Sequence, residues 1–164
     1  MSNVDFSLPG ERRCETPEQT QQLAQELGAY LKAGDVVILD GPLGAGKTTF
    51  TQGLAQGMQV KGRVTSPTFV IAREHRSKIG GPSLVHVDAY RLFGEGEQTE
   101  VDAVGALDSL DLDTELEDAV VVAEWGGGLV ERIAARYLEI TIDRTTANLE
   151  NPESEARIIS WRWV

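Results

Sequence analysis

The apolar positions fall into two kinds of run. Val36-Val37-Ile38-Leu39 is continuous, the pattern of a strand buried on both faces. Leu23, Leu27 and Leu31 recur every four residues with Ala24 beside them, which predicts a helix. Its start is marked by Thr16 as N-cap, Pro17 in the first helical position and Gln19 in the third, a Thr-x-x-Gln capping box. Gly34-Asp35 ends that stretch. A second helix is predicted over Thr48–Met58, where Phe50, Leu54 and Met58 share one spacing. Gly53 and Gly57 weaken it by about 1 kcal/mol each relative to alanine, unless close packing is their purpose. Val4 to Leu8 alternates like a short strand, and further strands are expected at Phe69–Ala72, Leu84–Val87, Ala119–Ala123, Tyr137–Ile142 and Arg157–Trp163. Glu100–Leu110 reads as one or two short helices, Arg73–Ser83 and Asp143–Ala156 as loops, and Gly80-Gly81-Pro82 as a turn. Apolar strands mixed with helices imply an α/β layered domain, and the alternating C-terminal strands make its sheet mixed. The length suits a single domain over 1–164.

Composition narrows the setting. Apolar residues make up 41% of the chain, enough for a real core. The longest apolar runs fall short of the roughly eighteen residues of a membrane span, so no membrane is expected. Met-Ser-Asn-Val-Asp has neither the basic nor the apolar region of a secretory signal. Cys14 is the only cysteine, so no internal disulfide forms; a plain free thiol in a reducing cytoplasm is the expectation. The net charge of −11 is uneven. Residues 95–118 hold ten acids and no Lys or Arg, whereas 61–91 carry six basic residues against Glu74 and Asp88. An acidic chain is a poor general binder of nucleic acid, and the acidic stretch reads as a solvated surface.

The chemistry lies between the continuous strand and the second helix. Gly41-Pro42-Leu43-Gly44-Ala45-Gly46-Lys47-Thr48 fits Gly-x-x-x-x-Gly-Lys-Thr in full, after a buried strand and before a helix. Glycines let the backbone curl round phosphate oxygens, and the helix N-terminus adds the positive end of its dipole. Lys47 then supplies a point charge to the β- and γ-phosphates, and Thr48 a hydroxyl to magnesium. Such a loop needs an acid to hold the metal directly or through water. Two apolar strands end in one, at Asp88 and Glu124, and the sequence does not rank them. Thr65-Ser66-Pro67-Thr68 offers threonines that a γ-phosphate can order, or simply a turn set by Pro67. His75 and His86 suggest no metal site, and there is no Cys/His cluster for zinc. The Asn-Lys-x-Asp signal of guanine readers is missing, which favours adenine.

Taken in order, Gly41–Thr49, Val64-Thr65-Ser66-Pro67-Thr68-Phe69, His86-Val87-Asp88-Ala89-Tyr90-Arg91 and Glu124-Trp125 resemble the TsaE family over about residues 16–142. The resemblance implies a P-loop NTPase-like α/β fold with a mixed, mostly parallel sheet flanked by helices. It implies ATP with Mg2+, hydrolysis of that ATP, and work within tRNA threonylcarbamoyladenosine synthesis beside the TsaB and TsaD proteins, tRNA being reached through the complex rather than directly. Carried over by motif, Gly41, Leu43, Gly44, Ala45, Gly46, Lys47, Thr48 and Thr49 hold the nucleotide. Thr48 and Asp88 lie at the metal, Glu124 organises water or metal, Trp125 adjoins the nucleotide, and Thr65 and Thr68 belong to a switch-like loop. Pro42 replaces the family's common acid and Gly126 its usual proline, which affects loop shape rather than ligands. Two other readings use the same loop: a small-molecule kinase, with Arg73, Arg76 and Lys78 as a modest lid, and a nucleotide-sensing adaptor without catalysis.

Overall fold

The computed structural model describes residues 5–40, 46–62, 72–88, 118–124 and 136–164. Its elements are β1 (Gly10–Cys14), α1 (Pro17–Tyr30), β2 (Val36–Asp40), α2 (Lys47–Met58), β3 (Ala72–His75), β4 (Ser83–Asp88), β5 (Ala119–Glu124), β6 (Leu138–Asp143), α3 (Thr145–Glu150) and β7 (Arg157–Trp163). The strands form one seven-stranded sheet in the order β1-β7-β6-β2-β5-β4-β3. β6, β2, β5 and β4 run parallel in its middle, while β3 at one edge and β7 and β1 at the other are antiparallel. The expected mixed sheet is therefore present, with its antiparallel part at the rims.

β2 is buried on both sides, as its unbroken apolar run requires. Val37 and Leu39 join Leu84, Val120, Val122, Leu138 and Ile140 in the main core. Ile38, Val85, Val121 and Ala123 are buried too, outside that cluster. α1 contributes Leu23, Ala24 and Leu27, and α2 contributes Phe50, Leu54 and Met58. Each fully buried leucine contributes about 1.5–3 kcal/mol by leaving water.

α1 begins as the sequence predicts. The Thr16 hydroxyl accepts the Gln19 N–H at 3.2 Å, and Pro17 opens the helix. The Gln19 side chain reaches one residue further back than a capping box, accepting the Glu15 N–H at 2.7 Å. The helix stops at Tyr30; Leu31 is already extended, although it is buried with the others.

The glycines of α1 and α2 have a packing role. A Cβ on Gly28 would strike the Leu54 carbonyl oxygen, one on Gly57 the Gln25 carbonyl oxygen, and one on Gly53 would stand 2.7 Å from the Gln21 Cα. The helices touch backbone to backbone, and that contact offsets the poor helix propensity of glycine.

Three local expectations are corrected. Asp5 to Leu8 is a turn, with the Leu8 N–H on the Asp5 carbonyl and the Ser7 N–H on the Asp5 carboxylate; Val4 lies outside the described residues. The strand there is Gly10–Cys14 instead, an edge strand whose half-exposed Arg12 and exposed Arg13 hide it from any hydrophobic pattern. Asp143–Ala156 is not all loop, because Asp143 accepts the Thr145 and Thr146 N–H groups and starts α3. Arg73–Ser83 is likewise part strand, since β3 runs through to His75 and pairs with β4. Of the expected Phe69–Ala72 strand only Ala72 is described, as the first residue of β3, and Glu100–Leu110 lies wholly outside the described residues.

Candidate functional site

β2 sits where the strand order reverses: β5, β4 and β3 lie on one side of it, β6, β7 and β1 on the other. The carboxyl end of such a strand opens a crevice where ligands of α/β sheets bind. β2 ends at Asp40, and α2 begins at Lys47 behind its cap Gly46.

Gly46 caps α2 in the left-handed region, at φ 105°, which favours glycine. It offers no side-chain cap, and the first helical bond runs from the Phe50 N–H to the Gly46 carbonyl at 2.8 Å. By helix geometry the N–H groups of Lys47, Thr48 and Thr49 have no carbonyl within the helix to bond. No acid lies in that first turn, so the positive end of the dipole is not cancelled from within it. Lys47, Thr48 and Thr49 are half-buried. One turn on, the buried Thr51 hydroxyl donates to the Lys47 carbonyl at 2.9 Å. The helix thus begins at Lys47, one residue earlier than the periodicity suggests.

The strand register supplies what spacing alone leaves open. β4 and β5 run in parallel with Asp88 and Glu124 as Cα partners, and Leu39 of β2 pairs with the same Glu124. Asp88 and Glu124 therefore end neighbouring strands at one level, on the sheet edge from which the chain departs toward Gly46. Asp40, to which the sequence assigns no role, is the exposed residue that follows Leu39 on the same edge. Among the described residues no three His, Cys, Asp or Glu side chains gather into a metal cage. A threonine hydroxyl in a first helical turn and an acid at a strand end are the kind of donors that suit magnesium held largely by substrate phosphates and water.

Gly46, Lys47, Thr48, Thr49, Asp88 and Glu124 are thus brought to one end of the sheet. Gly41, Leu43, Gly44, Ala45, Thr65, Thr68 and Trp125 lie outside the described residues. A cavity of about 590 Å³ lies elsewhere, at the C-terminal end of α2, between Gln52, Gln56, Gln59, Val60 and Lys78. Its lining begins at Gln52 and runs to the far end of α2, without Lys47, Thr48 or Thr49, so it is not the phosphate site. His86 is wholly buried in β4, as a plain strand residue would be. Cys14 is buried at the end of β1, where burial pushes its thiol pKa up, the environment of an inert thiol.

Comparison with known proteins bears on this geometry. The model of the family described as "Threonylcarbamoyl adenosine biosynthesis protein TsaE" matches residues 14–153. The tRNA threonylcarbamoyladenosine biosynthesis protein TsaE of Mycobacterium leprae is 51% identical over 163 residues, covering 98% of this chain and 96% of its own. The protein of that name from Bacillus subtilis is 38% identical over 133 residues, covering 80% and 76%. The crystal structure of Bacillus subtilis YdiB superposes with a TM-score of 0.65 at 29% identity, covering 96% of this chain and 87% of that one.

Proposed function

This chain belongs to the TsaE family, and from that premise we propose that it is the ATP-binding and ATP-hydrolysing component of the tRNA threonylcarbamoyladenosine machinery, magnesium-dependent and acting with TsaB and TsaD. The observation that carries the reading is the register pairing of the strand ends Asp88 and Glu124 beside β2, the strand that precedes the glycine-capped helix start Lys47-Thr48 in the chain. The names of the relatives support the pathway.

In this reading the first-turn N–H groups of α2 bind phosphate oxygens, and Lys47 neutralises the β- and γ-phosphates. Thr48 and Asp88 hold magnesium, which neutralises charge on the transferred phosphoryl group. Glu124 orients the attacking water. Trp125 follows Glu124 in the chain and adjoins the nucleotide, and Thr65 and Thr68 respond to the γ-phosphate. No arginine among the described residues stands at the Lys47 end by motif; Arg91, three residues past Asp88, lies outside them. Hydrolysis is therefore slow in isolation and completed by the partners, since a supplied arginine is worth roughly a thousandfold in such reactions.

The test separates the two acids. ATP binding with and without magnesium is measured by calorimetry, and turnover is followed in the mixture with TsaB and TsaD. Asp88→Asn is expected to lose the gain in affinity that magnesium brings. Glu124→Gln is expected to bind ATP normally and to lose turnover. Full turnover in Glu124→Gln removes its role. ATP loss that depends on a small acceptor and needs no protein partner replaces this reading with a kinase.

A further inference from the structure

We propose that His75 is a positioning residue: through Lys61 it locks the far end of α2 to the β3–β4 hairpin, and so fixes the separation of Thr48 on α2 from Asp88 on β4. The inference rests on the reading above, in which those two residues hold magnesium.

α2 starts at the candidate site and runs away from it for twelve residues, roughly 18 Å at the helical rise. Where it stops, Gln59 turns the chain in the left-handed region at φ 56°. The next residues are strapped to the connection between β3 and β4. The Lys61 N–H donates to the Arg76 carbonyl at 2.7 Å, the Lys78 N–H to the Gln59 carbonyl at 2.8 Å, and Val60 and Ser77 form an antiparallel bridge.

His75, the last residue of β3, closes the strap from beneath. It is only 6% exposed, and its Nδ1 lies 3.0 Å from the Lys61 carbonyl oxygen. A carbonyl only accepts, so Nδ1 carries the proton and donates. Gly62 follows at φ 86°, and a Cβ there would stand 3.2 Å from that same Nδ1. The imidazole is therefore seated against a residue that favours glycine both for its backbone and for the space beside it.

The strap joins the two elements that carry the proposed metal ligands. α2 bears Thr48 at its other end, and β4, paired with β3 from His75↔Leu84 to Ala72↔Val87, ends on Asp88. Helix, strap and hairpin form a frame closed at the end opposite the site. Loosening the closure lets the helix tilt about its glycine contacts with α1, and a tilt at one end displaces the other. Magnesium demands near-ideal octahedral geometry and tolerates such a displacement poorly.

The experiment measures ATP affinity with and without magnesium for the full chain, and circular dichroism establishes that each variant folds. His75→Ala is expected to cut the magnesium-dependent gain in affinity about five- to tenfold, leaving affinity without magnesium within about twofold. His75→Asn, whose amide nitrogen takes the place of Nδ1, is expected to restore the gain to within about twofold. Gly62→Ala, which crowds the imidazole, is expected to reproduce the loss and serves if His75→Ala does not fold. An unchanged gain in folded His75→Ala or Gly62→Ala overturns the inference, as does failure of His75→Asn to rescue. If the wild type itself shows no magnesium-dependent ATP binding, or Lys47→Ala leaves binding intact, it is the proposed function that fails.

Discussion

Gly46 and Lys47 divide one task between them. The glycine turns the backbone at φ 105° so that the helix can start without a side-chain cap, and in the proposed reading the lysine adds a cation to the helix end whose first-turn N–H groups are unbonded within the helix. Lys47 is half-buried and makes none of the core contacts of Phe50 or Leu54. Lys47→Ala is therefore expected to abolish most ATP binding in calorimetry while leaving the thermal midpoint within a few degrees; full affinity in the variant ends the P-loop assignment. Asp143 works at another helix start. Its carboxylate accepts the Thr146 hydroxyl at 2.7 Å and the Thr145 N–H at 2.8 Å, and these bonds, led by the hydroxyl, hold its pKa below the ordinary carboxylate value. A depressed folded value means that the stabilisation is present above the unfolded pKa, about 4, and is lost as pH falls through the folded one. Asp143→Ala should thus cost a few tenths of a kcal/mol, up to about 1, at neutral pH, because a carboxylate this open to water is screened. Denaturant titrations at falling pH should show the gap to wild type closing below about pH 4; a constant gap contradicts this.

Between elements, the glycine contact of α1 with α2 makes a counter-intuitive prediction. Alanine is the better helix former by about 1 kcal/mol, yet a methyl group at residue 57 meets the Gln25 carbonyl oxygen. Overpacking costs typically about 1–3 kcal/mol, so Gly57→Ala is expected to destabilise the protein on balance by up to about 2 kcal/mol in urea unfolding. A stabilised variant would show that the helices move apart freely. Helical periodicity reveals the two glycines only as a defect, because the reason for them lies on the other helix. The same limit governs the rest of what the sequence discloses. β2, β4 and β5 are plain from their apolar runs, and Asp88 and Glu124 stand out as acids ending two of them. That these two are register partners depends on strand order, which no local pattern encodes. β1 escapes notice because an edge strand needs only one covered face and this one carries two arginines. α3 escapes because six residues give too little period to read. The His75–Lys61 tie joins an ordinary histidine to a lysine backbone, with the glycine at 62 as its only other signal.

Seen whole, the sheet is a parallel centre with antiparallel rims, and the proposed chemistry hangs on the carboxyl ends of the centre alone. None of the helices among the described residues is long and apolar enough to cross a membrane. If the site is completed by partners, ATP turnover is expected to be slow for this protein alone and to rise at least about tenfold when TsaB and TsaD are both added, with the rise lost in Lys47→Ala. Rapid turnover that the partners leave unchanged reopens the kinase reading. The rim formed by β1 and β7 has a different consequence, one of timing. Among the described residues Gly10 to Cys14 pairs with β7 alone, from Gly10↔Trp161 to Cys14↔Arg157. A ribosome delivers about 5–20 residues each second, so β1 emerges seconds before the strand it must join. Throughout that wait its hydrogen-bonding edge has no native neighbour, and any strand of another nascent chain can claim it. Glu11, Arg12 and Arg13 make that edge a poor template for strangers, so the charges that conceal the strand from a hydrophobicity plot also guard it during synthesis.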